Sequence, residues 1–460
     1  MPFLFLIVHF ALYYDPLHLE LENMGLQIKQ LFLYGVIGLL VSWAALLYRY
    51  SDPKTRTAQI YELPPRPKLV GPLAVNDKLQ NVEYILKGKV DGPESLVIEG
   101  DSIYTGLYDG RVVHIKNGKI VKEVRFTKHR KCVFSSGSFD TEPICGRPLG
   151  IRRLNDKEFV VADAYLGIYL VNMKAGSSFL GTFRQIVNSN VPIQGRYMRF
   201  LNDVEVLNED EIVFTDSSSK WDRRHVVHII IGHESLGRIF KHKISTGETT
   251  VLADGLHLPN GIQLHPDGKS ILFAECNMAR IDRLDLSTNK VTPFANNLPG
   301  LPDNIRPGSD DTLWVGLAGE FELLPVFSFS VRHADALSLI DAGGSYPLIR
   351  QILLDVWFFS IRSTSDRERP VTASLSALWS WVTSIFLQIV PPHWWINYIQ
   401  MMRPPHAMIV QLNSNGEIIQ SLHDITGTHI QDVSQVSQSG DYLYFGSFHN
   451  KYIARLHIGK

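Results

Sequence analysis

Side chains that carry oxygen atoms recur at the start of successive strand-rich units in this sequence. Those that could act together are a glutamate, an aspartate and three asparagines: Glu94, Asn202, Asn260, Asp303 and Asn304. Two carboxylates and three amide oxygens suit a hard cation, and Ca²⁺ takes about six to eight oxygen ligands of this kind. Zinc or copper would prefer His or Cys, which these positions lack. We therefore predict a calcium site, although each residue taken singly is better explained as a turn residue.

The elements that must position these residues are antiparallel strands joined by tight turns. The stretch from Ser95 to Phe126 contains several short strands separated by Gly-Asp, Asp-Gly and Asn-Gly, which are strong hairpin signals. Similar units begin at Leu149, Asn202, Asn260, Asp303 and Gln431. Their spacing of roughly 40 to 60 residues, longer in the fifth unit, matches four-stranded propeller blades. Because inner strands start near the central channel, this predicts an all-β, six-bladed propeller over residues 69–460 whose channel holds the oxygen donors.

Composition and motifs exclude several other classes of protein. The chain has 45 Lys+Arg and 46 Asp+Glu, a balance that does not fit a nucleic-acid binder relying on bulk positive charge. Its 460 residues are 45% hydrophobic, which excludes a long disordered protein. The sequence contains no Gly-x-Gly-x-x-Gly, Walker loop, Gly-x-Ser-x-Gly or His-Glu-x-x-His motif. The usual dinucleotide, nucleotide triphosphatase, serine hydrolase and zincin interpretations therefore lack support.

Two apolar stretches indicate contact with a membrane. Leu31–Tyr48 contains no charged residue and is long enough to span a hydrocarbon core of about 30 Å. We predict a transmembrane signal anchor there, after an N-terminal segment 1–30, rather than a buried core helix, because a Pro-rich linker 49–68 follows. Residues 320–405 form an apolar insertion in the fifth blade with helix-permissive stretches rich in Trp, Phe, Leu and Ile. These helices would either pack over one face of the propeller or contact the membrane interface.

Longer motifs resemble a known family. The runs are GPES, CGRPLGIR, VADAYLGIYLVN, FLNDVEV, FTDSSSKWDRR, LPNGIQL, AECNMARI, LPGLPDNIRP, SLHD and YFGSF. Together they resemble the membrane-anchored branch of the strictosidine synthase-like propellers, over nearly everything from Leu69 onward except the insertion. The resemblance implies a type II membrane glycoprotein with a six-bladed propeller and an arylesterase-like activity. The sequence contains no Asn-x-Ser/Thr sequon, however.

More distant calcium-dependent hydrolases, the paraoxonases and gluconolactonases, resemble the chain at the blade openings. This resemblance implies that all five oxygen donors lie on calcium positions, where the cation polarises an ester or lactone carbonyl. The paraoxonase histidine is replaced near Ala164 and Tyr165, so the usual base is missing. Asp216, which ends a strand, is one candidate base and fits a turn or cap equally well. His429, just before the last inner strand, is the other, although a lone histidine is more often structural or exposed.

The resemblance also implies a disulfide between Cys132 and Cys145, which leaves Cys276 free in its strand. A disulfide requires an oxidising compartment, so we expect the propeller in the ER lumen or outside the cell. Three basic residues between positions 49 and 56 favour the opposite, cytoplasmic orientation by the positive-inside rule. Long domains can be translocated despite such charges, and we therefore predict a single-pass type II protein.

These features predict a membrane-anchored, calcium-binding propeller hydrolase that acts on aryl esters or lactones. One alternative is a non-catalytic, calcium-stabilised binding or adhesion scaffold, which the missing histidine favours. The other is a strictosidine synthase-like lyase, which needs a glutamate where the chain has Gln431 and Asp432. The expected partners are a small-molecule ester or lactone and the membrane, through the anchor and, unless it packs on the propeller, the insertion. No nucleic-acid partner is expected.

Overall fold

The computed structural model describes residues 63–133, 137–174, 179–320 and 406–459. Within these ranges the strands form six four-stranded sheets, and neighbouring strands in each sheet are antiparallel. The inner strands of adjoining sheets contact one another in a closed ring. The sheets are therefore the blades of a propeller, and the prediction of an all-β, six-bladed propeller is confirmed.

Each of the first five blades is built from consecutive strands, which are listed from the channel outward. Strand β1 (Glu83–Ile85) precedes them. Blade 1 contains β2 (Leu96–Glu99), β3 (Ser102–Gly106), β4 (Arg111–Lys116) and β5 (Lys119–Arg125). Blade 2 contains β6 (Pro148–Arg153), β7 (Phe159–Asp163), β8 (Gly167–Asn172) and β9 (Thr182–Asn188). Blade 3 contains β10 (Leu201–Val206), β11 (Glu211–Asp216), β12 (Gly237–Lys243) and β13 (Glu248–Leu256).

The later blades follow the same order. Blade 4 contains β14 (Pro259–Leu264), β15 (Ser270–Glu275), β16 (Arg280–Asp285) and β17 (Val291–Ala295). Blade 5 contains β18 (Gly300–Pro307), β19 (Leu313–Glu320), β20 (Ala407–Leu412) and β21 (Ile418–Asp424). Blade 6 contains β22 (Gln435–Ser439), β23 (Tyr442–Gly446) and β24 (Ile453–His457). Its outermost strand is β1, so the N-terminal strand closes the ring against the C-terminal one.

The hydrophobic core is divided among the contacts between adjoining blades. Six clusters of buried side chains each join two neighbouring blades. Between blades 1 and 2, for example, the ring centroids of Tyr104 and Phe159 lie 4.3 Å apart. Both faces of each sheet are covered in this way, which explains why blades with short strands form a stable core. The residues that open the inner strands are left to line the channel.

Short helices and a disulfide lie in the connections between strands. Helices α1 (Arg130–Val133) and α2 (Glu142–Cys145) follow blade 1, and α3 (Val226–Gly232) follows β11. Three-residue 3-10 turns cover Gly71–Leu73, Arg223–His225 and Cys276–Met278. The predicted disulfide between Cys132 and Cys145 is present, with the two Cα atoms 5.3 Å apart. Cys276 is free and buried, as expected.

The predicted membrane-contacting parts lie outside the described residues. These parts are the N-terminal segment 1–30, the anchor 31–48, the linker up to residue 62 and the insertion after residue 320. In the part of the chain that is described, no helix is long and apolar enough to cross a membrane. Strand β19 ends at Glu320 and β20 begins at Ala407, so the insertion separates the second and third strands of blade 5.

Candidate functional site

A β-bulge near the start of the inner strand presents the channel residues in blades 2 to 5. In blade 3, Leu201 pairs with Asp216 and Val204 pairs with Phe214, so β10 contains one residue more than its partner. The same excess lies between Pro148 and Ile151, between Pro259 and Ile262, and between Pro302 and Ile305. A bulge interrupts the regular alternation of side chains and redirects them. Two consecutive residues of one inner strand can therefore both reach the channel.

The predicted cation ligands lie at these strand openings, and side-chain contacts link most of them. Asn304 Nδ2 donates to Glu94 Oε1 at 2.6 Å, which connects blade 5 to the segment that opens blade 1. The Asn260 side chain makes a hydrogen bond with Asp303, which connects blades 4 and 5. Asn202 opens β10, the inner strand that packs against β14. The structure thus places the five residues in one ring of blade openings.

The backbone around this ring is held by close contacts. A Cβ atom on Gly261 would lie 2.5 Å from Asn304 Cα, so only glycine permits blades 4 and 5 to approach this closely. On the other side of blade 5, the Asn304 N–H donates to the Ser434 carbonyl at 2.9 Å. The Ser434 hydroxyl in turn donates to the Glu94 carbonyl at 3.0 Å. Blades 4, 5, 6 and 1 are therefore tied together directly beside the ligand oxygens.

Four of the five residues carry a buried oxygen that has no hydrogen-bond partner among the described residues. These atoms are Glu94 Oε2, Asn202 Oδ1, Asn260 Oδ1 and Asn304 Oδ1. Buried polar atoms in folded proteins nearly always have partners, and each unsatisfied one costs about 1–3 kcal/mol. Four such acceptors at strand openings around one channel indicate a site for a positively charged ligand, because a cation would supply a partner to oxygens that have none among the described residues.

The electrostatics of the two carboxylates support the same interpretation. No basic side chain in the described ranges forms an ion pair with Glu94 or Asp303. Burial, followed by the charge of Asp203, raises the pKa of Glu94 to about 7, against the opposing effects of Arg147, Arg306 and the Asn304 hydrogen bond. Burial and the charges of Glu94 and Asp203 raise the pKa of Asp303 well above its usual range. Arg147 and Arg306 are near enough to oppose these rises without forming an ion pair, and a divalent cation would add the direct countercharge.

A second buried acidic centre lies one residue further along β10. Arg306 Nη1 donates to Asp203 Oδ2 at 2.8 Å, and both terminal nitrogens of Arg152 lie 3.4 Å from the same carboxylate. The Ile262 N–H also donates to Asp203 Oδ2, at 3.0 Å. Although burial would raise the pKa of Asp203, the charges of Arg152 and Arg306 lower it. Arg306 also donates to Ser95 Oγ at 2.9 Å, so this network spans the channel beside the cation ligands.

The donor set of the candidate site suits a hard cation. It consists of two carboxylates and three side-chain amides, all of which coordinate through oxygen. Across residues 63–133, 137–174, 179–320 and 406–459, no three His, Cys, Asp or Glu side chains come together as a metal-binding group. A thiolate or imidazole site of the zinc kind therefore has no support there. Ca²⁺ accepts mixed carboxylate and amide oxygens in flexible geometry, so the residues present fit this ion.

An apolar cluster adjoins the channel openings of blades 2 to 5. It contains Leu149, Ala164, Phe200, Ile229, Leu258 and Cys276, against which Tyr165, Trp221 and Leu301 pack. These residues come from strand ends in four blades and from α3 with the segment before it, and blades 1 and 6 contribute none. Burial and then the charge of Asp303 raise the pKa of the Cys276 thiol. The cluster is therefore close to the carboxylate pair and offers an apolar surface beside it.

The contacts of Asp216 differ from those expected of a catalytic base. It is fully buried at the end of β11, and Arg238 Nη2 donates to Asp216 Oδ2 at 2.8 Å. Its other oxygen accepts two backbone N–H groups from the segment before β10. Asp163 and Glu275 occupy the same register in blades 2 and 4 and also accept N–H groups from the segment before the inner strand. This repetition indicates that Asp216 anchors an inner strand rather than serving the channel ring.

The contacts of His429 also lie away from the channel ring. Its side chain is 39% exposed, and Nδ1 lies 3.5 Å from Asp424 Oδ2. The backbone N–H of His429 donates to the same oxygen at 2.8 Å, and its carbonyl accepts from the Tyr84 hydroxyl at 2.6 Å. These contacts stabilise the connection between β21 and β22. The structure therefore places His429, the other candidate base, at the surface of that connection.

The basic residues of the channel were missed by sequence reasoning. Arg306 follows Asn304 by two positions in β18, so strand alternation could have placed both on one face. No comparable signal relates Arg152 of blade 2 to the channel. Arg147 is fully buried, donates to the Phe448 carbonyl at 3.1 Å, and lies close enough to Glu94 to oppose the rise in its pKa. A sequence does not show which basic side chains of different blades share a carboxylate.

Comparison with known proteins defines the class to which this fold and channel belong. Residues 202–288 match the strictosidine synthase family model, and residues 71–115 match the model for the N-terminal part of strictosidine synthase-like proteins. The chain is 29% identical to the protein STRICTOSIDINE SYNTHASE-LIKE 3 of Arabidopsis thaliana, which covers 87% of this chain and 91% of the relative. The predicted resemblance to strictosidine synthase-like propellers is thus confirmed.

A nearer relative places the chain within that class. This chain is 33% identical over 399 residues to the adipocyte plasma membrane-associated protein of Mus musculus, and the alignment covers 85% of this chain and 81% of the relative. The chain belongs to the adipocyte plasma membrane-associated protein family. Among solved structures, a luciferin-regenerating enzyme has a TM-score of 0.46 and 13% identity, covering 82% of this chain and 94% of that protein. That likeness is too distant to support an argument about function.

Proposed function

We propose that this chain is a calcium-dependent propeller hydrolase that acts on aryl esters or lactones. The observation that carries the proposal is the channel ring, in which, across the described residues, buried ligand oxygens have no hydrogen-bond partner and two buried carboxylates form no ion pair. Membership of a strictosidine synthase-like family agrees with a role for the channel in small-molecule chemistry, but it does not specify the reaction.

In this proposal the cation is held by the five oxygen donors Glu94, Asn202, Asn260, Asp303 and Asn304. When bound, Ca²⁺ would polarise the ester or lactone carbonyl and stabilise the oxyanion that develops as water adds. The network of Arg306, Asp203 and Arg152 holds the inner strands in position behind the ligands. The apolar cluster of blades 2 to 5 would pack against the aryl or hydrocarbon part of the substrate and exclude water from it. Phenolic esters are favoured because phenolate leaves with little help from a general acid.

The test is hydrolysis of phenyl acetate and a panel of lactones by the purified full-length chain. We expect turnover with Ca²⁺, loss of turnover in EGTA, and recovery when Ca²⁺ is restored. Glu94→Gln should abolish turnover, because it removes a charged ligand. The matched control is Glu209→Gln, which alters an exposed glutamate of blade 3. Turnover that is indifferent to EGTA, or that does not exceed background, would contradict the proposal.

A calcium-stabilised binding scaffold is the second candidate. It is favoured by the contacts of Asp216 and His429, since neither is found with the channel ring to act as a base. Both candidates predict that Ca²⁺ raises the melting temperature, so the discriminating result is turnover. If Ca²⁺ binds and stabilises the protein but no ester or lactone is hydrolysed, the scaffold is the better account.

We further propose that residues 31–48 anchor the protein with the propeller in the ER lumen or outside the cell. The Cys132–Cys145 disulfide supports an oxidising compartment, and the mouse relative is named as plasma membrane-associated. A C-terminal epitope should then be protected from protease in sealed microsomes and digested once detergent is added. Digestion without detergent would support the cytoplasmic orientation that the flanking charges favour.

A further inference from the structure

A histidine–aspartate pair of blade 6 has no role in the chemistry described so far. His449 Nδ1 lies 2.9 Å from Asp432 Oδ2. The Asp432 side chain is only 1% exposed, whereas the imidazole of His449 is 37% exposed. A buried carboxylate thus lies at ion-pair distance from a ring that solvent can reach, although the two atoms do not meet hydrogen-bond geometry. Its charge would stabilise the protonated form of that histidine.

The aspartate is attached to the channel ring through the strand that it precedes. Asp432 lies two residues before Ser434, which contacts the candidate ligands on both sides. The Ser434 hydroxyl donates to the Glu94 carbonyl, and the Ser434 carbonyl accepts the Asn304 N–H. Asp432 itself has a left-handed backbone with φ of 51°, which is uncommon for a residue other than glycine. Such conformations persist where the surrounding structure determines them, often at functional sites.

The histidine is attached to the same ring from the other end of blade 6. His449 follows Phe448, whose carbonyl accepts from Arg147 Nη2 at 3.1 Å. The charge of Arg147 opposes the rise in the pKa of Glu94, so the guanidinium lies near that carboxylate. The next residue, Asn450, donates to the Gln431 carbonyl at 2.6 Å and joins the segment of His449 to the segment of Asp432. The segments that carry the two members of the pair therefore adjoin the segments that carry Glu94 and Asn304.

The pair and the apolar cluster belong to different blades. The apolar cluster comes from blades 2 to 5 and contains no residue of blade 6. The pair lies where blade 6 meets the segment that opens blade 1, since the Gly92 N–H donates to the Asn450 carbonyl at 2.9 Å. A substrate that packs its apolar part on the cluster and presents its carbonyl to the channel ring would have a different side of that carbonyl available to His449.

We propose that His449 is the general base of the hydrolysis and that Asp432 is its positioning residue. This inference rests on the proposed function. His449 Nε2 removes a proton from water while the water oxygen bonds to the carbonyl carbon, and Asp432 faces the Nδ1–H of the resulting imidazolium. The bond from the carbonyl carbon to the alcohol oxygen then breaks, and the imidazolium returns the proton to that oxygen. One ester and one water give one carboxylic acid and one alcohol.

The pH dependence of this step is set by the charged groups around the pair. Asp432 faces Nδ1 from the segment before β22, Arg147 lies behind Phe448, and Asp91 and Lys451 interact in the neighbouring segments. A neutral imidazole is the active form, so the rate should rise with pH as the imidazolium loses its proton. Removal of the Asp432 charge should move that rise to lower pH, because the imidazolium loses its nearest anion.

The test compares His449→Gln and Asp432→Asn with His457→Gln, which alters an exposed histidine of the same blade. We expect His449→Gln to lower kcat/KM for phenyl acetate by at least about 100-fold and to remove the rising limb of the pH profile. Asp432→Asn should lower the rate and shift the limb downward, and in NMR titrations of the same full-length chain it should lower the His449 pKa. Ca²⁺ affinity and unfolding midpoint should stay near wild-type values in all three variants.

Three outcomes separate this inference from the function on which it rests. Retained turnover and an unchanged limb in His449→Gln would overturn the general base and leave calcium-dependent hydrolysis standing. A loss of turnover that is accompanied by loss of Ca²⁺ binding or of folding, with no change of the limb in Asp432→Asn, would show a structural role and overturn it too. Absence of hydrolysis by wild type with Ca²⁺ would overturn the proposed function and the general base together.

Discussion

Two buried acidic centres share the channel, and they differ in how their charge is balanced. Asp203 is held by Arg306 and Arg152, and its pKa is lowered although the carboxylate is fully buried. Glu94 and Asp303 are also buried, form no ion pair with a basic side chain among the described residues, and have raised pKa values. Burial alone therefore does not distinguish a structural carboxylate from a cation ligand. A missing ion-pair partner among the described residues is what marks a buried carboxylate as a candidate ligand.

The largest loss of folding stability is expected when Asp203, whose countercharge is supplied by arginines of the protein, is replaced. Asp203→Asn keeps the size of the side chain but leaves Arg306 and Arg152 buried beside a neutral group. Removing one partner of a buried ion pair costs about 3–5 kcal/mol, so urea unfolding should show a loss of that order. Saturating Ca²⁺ should not restore it. Glu209→Gln, at an exposed position of the same blade, is the control. If Asp203→Asn lowers the free energy of unfolding no more than this control does, the assigned role of Asp203 is contradicted.

The two centres should lose their contributions to folding stability in different pH ranges. Glu94 has its pKa raised from 4.5 to about 7, so its contribution is fully present below pH 4.5 and is lost as the pH rises to about 7. The pKa of Asp203 is lowered from 3.8, so its contribution is lost only as the pH falls below that value.

In EGTA, the free energy of unfolding of wild type relative to Glu94→Gln should therefore fall by roughly 2 kcal/mol between pH 4.5 and 7. Saturating Ca²⁺ should remove this decline, because the cation favours the ionised carboxylate. The measurement is urea unfolding of both proteins at a series of pH values. A rise over this window in EGTA would mean that Glu94 already has a countercharge in the folded protein.

The smallest effect on folding stability and Ca²⁺ affinity is expected for a substitution at His429, away from both acidic centres. His429 is partly exposed, and its nearest carboxylate, Asp424, is held mainly by backbone N–H groups and the Thr426 hydroxyl. His429→Ala should change the free energy of unfolding by less than about 1 kcal/mol and leave Ca²⁺ affinity unchanged. Calorimetric titration and urea unfolding of the same preparation check both values. A tenfold loss of Ca²⁺ affinity would place His429 within the site after all.

The blades, and the position of the candidate oxygen donors at the blade openings, could be predicted from sequence because both depend on local signals. Asp-Gly and Asn-Gly turns mark hairpins, and a residue that opens an inner strand, such as Asn202, faces the channel in any propeller. Contacts between blades leave no such signal. Arg306 and Asp203 are 103 residues apart, and His449 and Asp432 come together only where blade 6 closes. Asp216 remains a candidate base by position, and sequence does not show that its carboxylate also accepts backbone N–H groups from the segment before β10.

We propose that Glu94 and Asp303, which form no ion pair with a basic side chain in the described part of the chain, hold a divalent cation. Calorimetric titration of the full-length protein with Ca²⁺ tests this most directly. We expect one Ca²⁺ per chain and a gain of about 2.7 kcal/mol in unfolding free energy at 100 times the dissociation constant. Glu94→Gln and Asp303→Asn should each lose binding, and Glu209→Gln should keep it. Absence of binding to the wild type, or equal binding by all four proteins, would contradict the account.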